Sequence, residues 1–185
     1  MQQLIDYIQQ FVRLDSDAIN ALNELAEIEQ YQKNQFILEQ GQRCHKIWFL
    51  KKGMVRKYHI CDDKEITVWI HTENDIFTSL QSYAQAAPSV EYLQACEPTE
   101  VISISKSNSD KLSQFSKFLI FSNELMGKEF ANIDKHTKAL SSLDAKRKYE
   151  YLREITPEMI KRAKLGHIAS ILGITQETLN RIRKR

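Results

Sequence analysis

A mixed α+β fold is predicted for this 185-residue chain: an antiparallel β-roll, a long central helix and a small all-α helix-turn-helix, in that order. Three observations predict it. Short β-branched or alternating runs recur at even spacing between about residues 27 and 105, and apolar residues then return at every seventh position from Leu112 to Leu140. Residues 165–185 place apolar, small and turn residues where two packed helices need them. The expected divisions are 1–106 for the β-roll with its N-terminal helices, 107–140 for the long helix and 141–185 for the helix-turn-helix domain.

Leu4, Ile5, Ile8, Phe11 and Val12 fall on one face of a short amphipathic helix, and Ser16 or Asp17 can cap a second that runs toward Ala26. Strand-like runs occupy residues 36–38, 46–50, 54–60, 66–70, 92–95 and 101–104. Gln40-Gly41-Gln42, Lys51-Lys52-Gly53 and Asp62-Asp63-Lys64 supply breaks between them. Such short, evenly spaced strands suit an antiparallel barrel or roll rather than βαβ units. Ser107 then offers an N-cap with Asp110 three residues on, and the long helix is expected from there. Its seven-residue repeat is Leu112, Leu119, Met126, Ile133 and Leu140, with Phe115, Phe118, Leu125 and Phe130 beside it. A repeat held that long suits a seam between the helices of a homodimer. Polar Ser122, Glu129 and His136 at companion positions keep open the alternative that the stripe packs on the chain's own β-domain.

The C-terminal stretch can be read position by position. Leu165, Ile168 and Leu172 give a helix one buried stripe, and Ala169 is small enough to let a second helix approach. Gly173 suits the left-handed position that closes this helix, and Thr175 can N-cap the next, whose buried face is Leu179 and Ile182. Its outer face then carries Gln176, Glu177, Asn180, Arg181 and Lys184, types that pair with base edges in the major groove. Thr175 and the basic end Arg183-Lys184-Arg185 are available to phosphate. An ordinary helical hairpin with a solvated polar face is the alternative. The charge distribution bears on the choice: residues 144–185 hold eleven Lys or Arg against five Asp or Glu, while residues 1–143 carry a net −4. A basic segment on an acidic body is what phosphate neutralisation by one small domain requires.

Composition is that of an ordinary globular protein, with 42% hydrophobic and 27% charged residues. Met1 is followed by Gln-Gln-Leu-Ile-Asp, without a basic leader or a long apolar run, so no signal peptide or membrane span is expected and the location expected is the cytoplasm. Cys44, Cys61 and Cys96 are widely spaced, which suits free thiols and not an iron–sulfur cluster. No metal site is read from the five scattered histidines. His45, His59 and His71 are available as haem ligands, but a lone histidine on a strand is more often exposed or packed. With no nucleophile elbow, paired catalytic carboxylates or phosphate loop, the chain is not expected to be an enzyme.

In the order of these parts the chain resembles the Crp/Fnr family of bacterial transcription regulators. The carriers are Gly41 in Leu38-Glu39-Gln40-Gly41, the segment Ile47-Trp48-Phe49-Leu50-Lys51-Lys52-Gly53-Met54-Val55-Arg56, the stretches from Asp63 to Thr67 and Ala95 to Val101, and Ile168-Ala169-Ser170 onward. The resemblance implies a cupin-like jelly roll of the cyclic-nucleotide-binding type acting as sensor, homodimerisation, and double-stranded DNA as partner, with RNA polymerase as a further one. It implies base contacts from Glu177 and Arg181, while Gln176 stands where the family commonly has Arg. The wing that follows in longer members is not expected after Ile182. The positions matching the family's nucleotide pocket are Thr78, Ser79, Leu80, Ser89 and Val90, and both of its usual charges, the ribose-binding Glu and the phosphate-binding Arg, are missing. Cyclic AMP is therefore not expected as effector, because a buried phosphate needs a paired cation. An unknown small molecule, or none, is expected in its place. The competing reading is a cyclic-nucleotide or other small-ligand module whose C-terminal helices serve protein interaction rather than DNA.

Overall fold

The computed structural model describes residues 1–184; Arg185 lies outside the described residues. Among the described residues eight strands form two four-stranded sheets, β1 (Ala26–Tyr31), β8 (Thr99–Ser105), β3 (Lys46–Lys52) and β6 (Ile76–Phe77) in one, and β2 (Phe36–Leu38), β7 (Tyr92–Ala95), β4 (Val55–Cys61) and β5 (Lys64–His71) in the other. Every pairing is antiparallel. Alternation decides which side chains fill the roll: Trp48, Leu50 and Val101 point between the sheets with Val55, Phe77 and Leu93, whereas Phe49 and Ile102 point outward. Helices α1 (Gln2–Gln9), α2 (Ser16–Leu25), α4 (Lys106–Leu112) and the first turns of α5 (Ser116–Ser142) cover that outward face, and Leu4, Ile8, Leu22, Leu112, Phe118 and Phe121 bury it.

Local chemistry sets the turns. The β4–β5 hairpin turns on Asp62 and Asp63, both at positive φ, a conformation that Asp tolerates better than most residues. Gly53, at φ +100°, opens β4 where a Cβ would lie 2.6 Å from Thr99 Oγ1 and 2.8 Å from the Pro98 carbonyl oxygen.

Several elements differ from the sequence expectation. Asp15, not Ser16 or Asp17, caps α2 by accepting from the Ala18 N–H at 2.9 Å. Strands β1 and β6, and the short helix α3 (Leu80–Gln85), were absent from that expectation. Ser105, not Ser107, caps the helix after β8, and this helix is not the long one. The chain breaks after Leu112, where Phe115 takes an extended conformation and packs into the core under the sheet, and α5 restarts at Ser116. Beyond α5 lie α6 (Ala145–Ile155), capped by Asp144, then α7 (Pro157–Arg162), α8 (Leu165–Leu172) and α9 (Gln176–Arg183). No helix among the described residues is long and apolar enough to cross a membrane.

Candidate nucleic-acid interface

Helices α6, α8 and α9 share a small core of Tyr149, Leu152, Ile168, Ala169, Leu172 and Leu179, and Ile160 of α7 packs against it. Gly173 ends α8 in the left-handed conformation at φ 66°, and the N–H groups of Gly173 and Ile174 return to the carbonyls of Ser170 and Ala169, both at 3.0 Å. Thr175 then caps α9, its hydroxyl accepting from the Thr178 N–H at 3.2 Å. Burial of Leu179 fixes the rotation of α9, so that Gln176, Glu177, Arg181, Arg183 and Lys184 are exposed and Asn180 is half-buried. None of these six side chains makes an ion pair or hydrogen bond among the described residues, so their donors and acceptors are available to a partner.

This helical unit is docked on the β4–β5 sheet. Met159 is fully buried with Met54 and Ile70, and Trp69, Ala163 and Ile171 close around them. A β-bulge at Val68 interrupts the β4–β5 register, and beside it the Thr67 N–H donates to Ser170 Oγ at 2.9 Å. Arg162 donates to Glu73 at 2.5 and 2.9 Å and to Glu97 at 3.0 Å. Burial pushes the Glu73 carboxyl up, but the hydrogen bonds from Arg162 and from the Gly53 N–H outweigh it and hold the group below the usual range. Arg56 on β4 lies 3.8 Å from the Tyr58 ring centroid, pairs with Glu65 at 2.7 Å, donates to Gln94 at 3.0 Å and reaches His167 of α8 at 3.1 Å. Because a guanidinium can only donate, His167 Nε2 accepts and its proton sits on Nδ1. Burial, then the charges of Arg56 and Lys164, push His167 down to about 4. These docking residues were missed from sequence, since pairs such as Glu73 and Arg162 are joined only by folding; the one available signal was that Arg56 is the sole Arg between positions 44 and 146.

The effector-pocket residues separate into two groups. Ser79 and Ser89 are buried and face each other at 3.0 Å; Ser79 also donates to Glu91, whose carboxylate pairs with Lys57 at 3.2 Å. Thr78 donates to the Lys46 carbonyl. Leu80 and Val90 are half-exposed, and none of the five lines the cleft around Arg56 and Arg162 or the one around Tyr31 and Trp48.

The seven-residue repeat is divided as well. Leu112 belongs to α4 and is fully buried under the sheet, so it is not on the long helix; the break at Phe115 removes it. Leu140, at the far end of α5, packs against the helix-turn-helix core. Between them Leu119, Met126, Phe130 and Ile133 stand exposed, Met126 by 56% and Phe130 by 60%. The opposite face of α5 turns Phe118, Phe121 and Leu125 into the β-roll core and sets His136 against the Trp69 ring, 4.8 Å between centroids, with Tyr151 on its Nδ1 at 2.5 Å.

Residues 28–114 match the family of cyclic nucleotide-binding domains. No curated protein is similar to the chain by sequence. Among solved structures, FixK2 from Bradyrhizobium japonicum superposes with a TM-score of 0.68 at 20% identity, over 86% of this chain and 83% of that one. The c-di-GMP-responsive global regulator CLP of Xanthomonas campestris gives 0.68 at 15% identity, over 92% and 90%. CooA from Carboxydothermus hydrogenoformans, in a double mutant, gives 0.66 at 22% identity, over 89% and 77%. Residues 28–114 are thus similar to cyclic nucleotide-binding domains, and the chain as a whole shares its fold with these solved structures.

Proposed function

We propose that the chain is a homodimeric, sequence-specific DNA-binding transcription regulator that reads a palindromic operator with α9 and senses a small effector other than cyclic AMP through its β-roll half. The observation that carries this reading is the outer face of α9. Gln176, Glu177, Asn180 and Arg181 project from a helix whose rotation is fixed by Leu179 and whose start is fixed by Gly173 and Thr175, within a strongly basic segment. Glu177 and Arg181 are the base-reading candidates, matched to cytosine and guanine edges, and Thr175, Arg183 and Lys184 are suited to the phosphates. The outward stripe of Leu119, Met126, Phe130 and Ile133 supports a two-fold seam along α5, since four large apolar side chains on one exposed helix face are costly without a partner. At Ser79 and Ser89 the cation beside them, Lys57, is already paired with Glu91, which supports an effector other than a cyclic nucleotide there.

Selection from a pool of random duplexes tests the reading. A palindromic site is expected to enrich, its affinity falling steeply with salt, and Arg181→Ala is expected to lose roughly 1 to 3 kcal/mol and relax one base position. Enrichment of no sequence would overturn the assignment. Calorimetry with cyclic AMP is expected to give no heat of binding at micromolar protein.

A further inference from the structure

A cleft of about 360 Å³ lies where the helix-turn-helix unit meets the β-roll, with Lys33, Arg56 and Gln94 on one side and Arg162, Lys164 and His167 on the other. Its volume is within the range of small-molecule sites. Among the described residues, four buried side-chain nitrogens have no hydrogen-bond partner, and three of them, Arg56 Nε, Arg162 Nε and His167 Nδ1, belong to residues that line this one cleft. All three carry a proton; Arg162 Nε has the Glu158 carboxylate at 3.9 Å as an ion-pair partner, and Arg56 Nε and His167 Nδ1 lack an acceptor. Arg56 is 4% exposed, and a guanidinium donor left unmatched at that depth is costly. The two carboxylates of the lining are already engaged, Glu65 with Arg56 and Glu97 with Arg162. Lys33 and Lys164, both exposed at the rim, make no ion pair among the described residues. The cleft is therefore walled by residues that hold unmatched donors just beneath its surface, and it carries the unpaired Lys33 and Lys164 at its mouth. No Phe, Tyr or Trp lines it.

We propose that this cleft is a binding site for a small oxyanion, the phosphate or carboxylate group of a compact metabolite, held jointly by the β-roll and the helix-turn-helix unit. The site is distinct from the vestigial pocket at Ser79 and Ser89. It names an effector class for the sensing half of the proposed function, rests on that half alone, and is independent of DNA binding; its test contains no DNA, so the two fail separately.

The test is a titration of the full chain, followed through the ring signals of His167 by nuclear magnetic resonance, with inorganic phosphate, with citrate, and with chloride at matched ionic strength. Saturable movement of the His167 signals with phosphate or citrate, but not chloride, is expected, together with a rise of the His167 titration midpoint, because a neighbouring anion favours the imidazolium. Whichever of the two anions saturates at lower concentration identifies the group as phosphoryl or carboxylate. Lys33→Glu combined with Lys164→Glu, both on exposed side chains, is expected to weaken the binding at least tenfold while the unfolding midpoint in urea stays put. A response equal in chloride, a response that never saturates, or an affinity untouched by the double substitution would overturn the proposal.

Discussion

Single residues in this chain carry specific physical duties that their neighbours cannot assume. Gly53 combines a positive φ with backbone atoms of Pro98 and Thr99 that leave no room for a Cβ. Gly53→Ala is therefore expected to lower stability by about 1 to 3 kcal/mol from the backbone conformation alone, measured as a reduced urea midpoint. His167 gives a pH dependence with a definite sign. Its ordinary value is 6.5, and in the fold it is pushed down to about 4 by burial and then by Arg56 and Lys164. The folded chain thus favours the neutral ring, its contribution is complete above pH 6.5, and it is lost as pH falls from about 6.5 to about 4. In His167→Gln the loss of stability over that interval should be shallower; an identical slope in wild type and variant would refute the assignment. The caps show how far sequence reads at this scale. Thr175 and Gly173 were legible because each acts on backbone within a few residues, whereas Asp15 and Ser105 were displaced by one or two positions from the expected caps, since several Ser and Asp stand together there and packing chooses among them.

At the scale of elements, the strands with strong β-branched or aromatic texture were legible, and β4 and β5 follow it closely. Strand β1 was not, because Ala26–Tyr31 holds Glu27, Glu29 and Gln30 and only one β-branched residue, Ile28, and it owes its conformation to pairing with β8. Strand β6 has only two residues, too few for a period. The long helix taught a different lesson. A seven-residue spacing is blind to chain breaks, and it carried Leu112 across the turn at residues 113–115 onto a helix to which it does not belong. What survives is the middle of the repeat, whose outward face is apolar while its inward face is already engaged with the β-roll. Met126→Asp and Ile133→Asp are accordingly expected to give monomers by light scattering with the fold of each chain intact, since neither side chain is buried within it. Leu112→Asp, by contrast, should unfold the β-roll, because it places a charge in a fully buried position.

For the whole molecule, the order of parts was legible and their mutual placement was not: periodicity within a segment says nothing about which surface it docks on. Docking depends on Met159, His167 and Ser170 meeting β4 and β5 and on Arg162 meeting Glu73 and Glu97, contacts that join residues far apart in sequence. Arg162→Ala is expected to weaken the docking by roughly 1.5 to 3 kcal/mol, since it removes charge-assisted hydrogen bonds to Glu73 and Glu97. Hydrogen exchange should then quicken in α7 and α8 while the β-roll stays protected; uniform exchange across the chain would count against a separable seam. The same docking bears on how the protein would measure its target. Only Leu143 and Asp144 separate α5 from α6, and the far end of α5 is held through Leu140 and through His136 against Trp69. A pair of such chains would carry its two reading helices as the jaws of a fixed caliper. Each base pair inserted between half-sites turns the second by about 35° and carries it about 3.4 Å farther. A caliper without slack does not follow, so the spacing of the operator, as much as its letters, would be part of what this protein recognises.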